Sequence, residues 1–170
     1  MGKRSIREDK NIFFESREQA GLTRAQASEL LGGISDSSLE KMETGKTSIY
    51  PEDVVSMAKA YKKPELCNYY CTHECAIGRT SVPEAKLSSL SEIVLGMLSA
   101  LNSLDRQKDR LIDITADGEI SDDELPDFVH IQKELDQIDQ TVESLKVWMA
   151  STIAEGKINK DKLDSLQRNA

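Results

Sequence analysis

Apolar positions along this chain follow two rhythms, and the change between them falls near residue 80. In the first half they come in short bursts closed by turn residues. "NIFFESREQAG" ends on Gly21, which suits a helix C-terminus. "TRAQASELLGG" opens on Thr23, an N-cap residue, and stops at Gly32-Gly33. "SDSSLEKMETG" starts at Ser35, or with Asp36 as its cap, and closes at Gly45. "YPEDVVSMAKAY" places Pro51 in a first turn with acids behind it, as a helix start prefers. A fifth piece runs from Pro64 through "ELCNYYCTHEC". Helices this short do not stand alone in water, so the pattern predicts five that pack on one another.

After "AIGRTSVPEA", which reads as a linker, the rhythm becomes regular. Leu87, Leu90, Val94, Met97, Leu101, Leu104 and Leu111 follow steps of three and four, with Lys108 filling one slot. Phe128, Ile131, Leu135, Ile138, Val142, Leu145 and Met149 repeat that register. Heptads of this kind predict two long helices meeting along a narrow seam. "DITADGEISDDELP" between them is short enough to fold the second back on the first. Ile93, Leu95, Leu98, Ile112, Val129 and Trp148 widen the apolar face beyond the needs of two helices, which favours two hairpins pairing as a dimer. Gly156 ends the second long helix, and "INKDKLDSLQRNA" adds a short terminal one. The expected organisation is all-α: a five-helix domain over residues 1–76 that includes the cysteine-rich helix, a linker at 77–86, and an antiparallel helical hairpin at 87–170 for dimerisation.

Composition sharpens this picture in one respect. The net charge of −8 is not spread evenly. Residues 1–80 hold twelve basic and twelve acidic side chains, whereas residues 81–170 hold ten against eighteen. The first half can therefore approach a polyanion that the second half would repel. No apolar run is long enough to span a membrane, and "MGKRSIREDK" lacks the apolar core of a signal peptide, so a cytoplasmic protein is expected. There is no phosphate-binding loop and no nucleophile–base set, and His130 falls within a long helix. An enzyme is not expected.

Within "SREQAGLTRAQASELLGGISDSSLEKMETGK", Arg17, Gly21, Leu22, Thr23, Ser28, Leu39, Glu43, Gly45 and Lys46 form an ordered set. The segment from about residue 10 to 63 resembles the phage-repressor-like (XRE-type, Cro/C1 class) helix-turn-helix family. The resemblance implies double-stranded DNA as partner and a structural ion pair between Arg17 and Glu43. It maps Arg24, Asp36, Ser37, Ser38 and Lys41 onto the positions that face the major groove, with Lys46 and Thr47, beside Ser48, against phosphates. Gly32-Gly33 adds one residue to the family's turn, and Glu40 has no assigned role. Lys3, Arg4, Arg7 and Lys10 make a basic arm that could add affinity. The resulting expectation is a dimeric, sequence-specific transcriptional regulator. Its alternative is a protein-interaction adaptor whose helix-turn-helix no longer touches DNA.

Two further clusters carry chemistry. Cys67, Cys71, His73 and Cys75 offer a zinc or iron–sulfur ligand set, and a regulator could sense metal or redox state there; an apolar thiol stripe explains the same letters. A straight helix would have to break to wrap an ion. "DITADGEISDDE" matches a calcium loop at Asp113, Asp117, Gly118, Ile120, Ser121 and Glu124. A turn at Asp117-Gly118 and a capping box of Ser121 with Glu124 account for it without calcium, which is not expected.

Overall fold

A computed structural model describes residues 11–116 and 118–168. The basic arm of Lys3, Arg4, Arg7 and Lys10, and Asp117 of the loop, lie outside the described residues. The described chain is all-helical: α1 (Ile12–Gln19), α2 (Arg24–Leu31), α3 (Asp36–Glu43), α4 (Pro51–Ala60), α5 (Glu65–Tyr69), α6 (Gly78–Ser81), α7 (Leu90–Thr115), α8 (Leu125–Ala154) and α9 (Lys160–Gln167).

Local chemistry sets the helix ends. Asn11 caps α1 by accepting from the Phe14 amide at 3.1 Å, and its own amide donates to the Met42 carbonyl at 2.7 Å, tying α1 to the end of α3. Thr23 and Gln26 form a capping box on α2. Ser35, not Asp36, caps α3. Gly21, Gly32 and Gly45 each follow a helix at positive φ, where a side chain would be strained. Phe13, Ala27, Leu39, Met57 and Leu66 lead the one core that α1 to α5 share.

α7 and α8 form the hairpin along a seam that keeps part of the predicted heptad line, Met97, Leu104, Leu111, Ile131, Ile138 and Leu145, and is turned by one residue for the rest. Ile93, Ala100 and Ile114 are buried on α7, and Ile131 and Thr141 on α8, while Leu90, Val94, Leu101, Leu135 and Met149 stay at the surface. The reason is close approach. Gly96 lies against Thr141, so that a Cβ there would sit 3.4 Å from Thr141 Cγ2. Small side chains bring the backbones together along this line, and larger ones would hold them apart. Arg110 and Asp127, with Nε 2.6 Å from Oδ2, tie the helices near the connecting loop. α7 starts at Leu90 behind a capping box of Ser89 and Glu92, so Leu87 precedes the helix.

Residues 77–86, expected to be a linker, hold α6 and then an extended stretch bonded on both sides. The buried Asn68 amide donates to the Pro83 carbonyl at 3.0 Å and to Glu143 at 3.4 Å, and its oxygen accepts from the Ala85 amide at 3.0 Å. The Lys86 amide donates to Ser144 Oγ at 2.9 Å. These bonds dock the first five helices beside the open end of the hairpin.

Candidate nucleic-acid interface

α2 and α3, joined by a short turn, make a helix-turn-helix unit whose geometry follows from three interactions. Ser28, within α2, donates to the Ile34 carbonyl at 2.7 Å and pins the turn. Gly32 closes α2 at positive φ, and the Gly33 amide donates to the Leu31 carbonyl at 2.8 Å. The extra glycine is thus absorbed in an exposed turn. Ala27, Ile34 and Leu39 bury the inner faces of both helices.

Behind α3 lies a network of five charges. Arg17 Nε donates to Glu43 Oε1 at 2.5 Å and its second nitrogen to Oε2 at 3.1 Å, with both side chains buried. Arg17 also donates to the Leu22 carbonyl at 2.6 Å and to Glu18 at 2.7 Å. Burial alone would lower the Arg17 guanidinium, but hydrogen bonds and charge from Glu43 and Glu18 hold it above its ordinary range. Arg24 Nε donates to Glu43 Oε2 at 2.9 Å, and its terminal nitrogen stands 3.6 Å from Glu40. Glu43 therefore binds two guanidinium groups, and Glu40 helps to hold the second. Arg24, which the resemblance maps to the groove-facing set, is thus held against α3 by the buried Glu43 carboxylate, with its side chain 30 % exposed.

Other positions do face solvent. Asp36, Ser37 and Lys41 are exposed on α3, and Lys46, Thr47 and Ser48 are exposed just beyond it. Ser38 is half-buried. Ser35 Oγ lies 3.1 Å from Ser37 Oγ and 2.9 Å from Ser38 Oγ, making a hydroxyl cluster at the start of α3 that can donate or accept. Sequence reasoning passed over Tyr50. It is 68 % exposed at the start of α4, directly beyond the Lys46–Ser48 loop, where its hydroxyl can bond a phosphate. Its only signal was an aromatic side chain placed before a proline-led helix.

The cysteine segment takes another course. α5 continues into a π-helical turn, Tyr70–Glu74, and the chain then turns at Cys75. His73 stacks on Tyr69 with ring centroids 4.2 Å apart, and its Nδ1 lies 2.9 Å from Thr72 Oγ1. Cys75 Sγ accepts from the Gly78 amide at 3.4 Å. Cys67, Cys71, His73 and Cys75 are not brought to one point, and among the described residues no three His, Cys, Asp or Glu side chains are placed to hold a metal ion. The structure does not bring the expected zinc or iron–sulfur ligand set together; the helix widens through these residues. Burial raises the Cys67 thiol, as does Cys71, against Lys59; burial, Cys75 and Glu143 raise Cys71. In the connecting loop Asp113 belongs to α7, and Ser121 pairs with Glu124 ahead of α8.

This arrangement, two short helices across a pinned turn with an Arg–Glu pair behind the second, defines a helix-turn-helix unit. Residues 15–66 match the family model of a helix-turn-helix domain. No curated protein and no solved structure matches the chain. Among the described residues no helix is long and apolar enough to cross a membrane.

Proposed function

We propose that the protein is a sequence-specific, DNA-binding regulator of transcription that works as a dimer. The observation that carries this reading is the helix-turn-helix domain with Ser37 and Lys41 facing outward from α3 and Lys46 and Thr47 flanking them. α3 enters the major groove, where Lys41 reads base edges with the serine hydroxyls. Lys46, Thr47 and Tyr50 grip the phosphates. Arg24 serves as a strut in this arrangement, since its guanidinium is held by Glu43 and Glu40. Two such domains read half-sites about 34 Å apart, one turn of DNA. The acidic hairpin stays clear of the duplex by repulsion.

The holding of Arg24 also favours a second reading, an adaptor that binds protein through the same face. Selection of sites from a pool of genomic DNA, repeated across salt concentrations, separates the two. The regulator enriches a palindrome. Lys41→Ala then weakens the selected site by about 1–3 kcal/mol and relaxes one base position, whereas Lys46→Ala weakens all sequences alike and lowers the salt slope by about 1. Absence of an enriched site overturns the regulator in favour of the adaptor.

A further inference from the structure

The hairpin leaves uncovered a second heptad seam. On α7 the line turned toward α8, with Ile93 and Ala100 buried and Met97 and Leu104 half-buried, has an exposed neighbour displaced by one residue, at Val94, Leu98 and Leu101. On α8 the line through Ile131, Ile138, Thr141 and Leu145 has the same displaced neighbour, at Leu135, Val142 and Met149. Because the helices run antiparallel, a displacement in the same sense puts both exposed lines on one side. The contacts of Arg110 with Asp127 and of Gly96 with Thr141 set the register. That register places Val94 level with Val142 and Leu101 with Leu135, two layers seven residues apart. Leu101 and Leu135 remain 44 % and 47 % exposed. A two-helix hairpin has no use for repeating layers on its outer side, whereas a four-helix bundle needs them.

We infer that this face is closed by a second copy of the chain, giving a four-helix bundle whose two-fold axis runs along the bundle. This rests on the regulator reading for its orientation, though not for its contacts. The exposed apolar line on α7 runs from Leu90 through Val94, Leu98 and Leu101 to Ile112, about 33 Å, and two helices are about 20 Å wide, so each chain brings roughly 650 Å², near the approximately 800 Å² per partner of a stable interface. An axis along the bundle makes each layer meet its own copy at one height, with α7 of one chain beside α8 of the other. It also sets both helix-turn-helix domains at the same end, because Asn68, Lys86 and Glu65 attach them to the Glu143–Ser151 end of α8. An axis across the bundle would send them to opposite ends, and one operator could not engage both.

Sedimentation equilibrium of the full chain tests the face. Wild type is expected at twice the 18.9 kDa chain mass. Val94→Glu/Leu101→Glu is expected at the single mass with unchanged far-UV helicity, since both positions already face water in one chain. Leu95→Glu, more exposed but off the face, is expected to stay dimeric. A monomeric wild type, a dimeric double variant or a monomeric Leu95→Glu overturns the interface. Mixing Leu101→Cys with Leu135→Cys chains under oxidation, against wild type as control for the native thiols, tests the axis. Cross-links between the two variants beyond those in either alone support an axis along the bundle, and their absence overturns it. A dimer with this behaviour that selects no DNA site keeps the interface and removes the regulator.

Discussion

Glu43 shows how much a single residue settles in this domain. Its buried carboxylate is bonded by Arg17 and Arg24, which come from two other helices, so its removal strands the buried Arg17 charge. Glu43→Ala should cost about 3–5 kcal/mol, measured by urea unfolding. Arg24→Ala, at a partly exposed site, should cost about 1 kcal/mol. A large loss for Arg24 with a small one for Glu43 would reverse the assignment of strut and anchor. Tyr61 offers a contrasting test. Its hydroxyl is buried and has no hydrogen-bond partner among the described residues. Burial, with the Glu43 charge adding and Arg17 opposing, pushes it up to about 12. Since the phenol has no partner among the described residues, Tyr61→Phe should leave stability unchanged or raise it by about 1 kcal/mol, and a marked loss in the same urea series would disclose a bond to this hydroxyl. The pairing of Arg17 with Glu43 could be anticipated because the helix-turn-helix resemblance implies it. The capture of Arg24 could not, since it needs the distance between α2 and α3.

At the scale of elements, the π-helical turn is where the sequence says least about the arrangement of its side chains. Four metal-binding side chains within nine residues suggest a site, yet what organises them is backbone packing. Gly78 sits so close that a Cβ there would lie 2.2 Å from the Cys71 carbonyl oxygen. Gly78→Ala must therefore push α6 off the turn, and faster amide exchange across residues 70–82 should report it. Unchanged exchange would contradict the close approach. The thiols make a separate prediction. Cys67 and Cys71 are raised above the ordinary thiol range chiefly by burial, so their thiolate fraction at pH 7.5 is below that of free cysteine. Alkylation by iodoacetamide should be slower in the folded than in the unfolded chain, and should accelerate as pH rises through the alkaline range. Rapid labelling at neutral pH would instead mark them as sensing thiols. Helix ends, by contrast, were legible: Thr23, Pro51, Gly21, Gly45 and Gly156 act through a residue or two of local backbone, which the sequence carries in full.

For the whole molecule the decisive joint is Asn68. One side chain bonds the 83–85 backbone and Glu143, so it locks the helix-turn-helix domain to the hairpin. Asn68→Ala should leave both helical units formed but free to reorient, seen as faster exchange at Ala85 and Lys86 and a larger radius of gyration. Retained protection there would show that α5 and α8 hold the joint without it. The sequence by itself determined that the chain is helical, where its helices begin and end, and that a helix-turn-helix precedes a long hairpin. These are properties of periods and caps, set by neighbours within one or two turns. Only the tertiary structure decided which of two adjacent seams α8 covers, that the segment after Cys75 is pinned in place, and that Arg24 turns inward. Each depends on how closely two backbones approach. Small side chains at Gly96, Ala100 and Gly78 permit that approach, and hydrophobic pattern does not encode its distance.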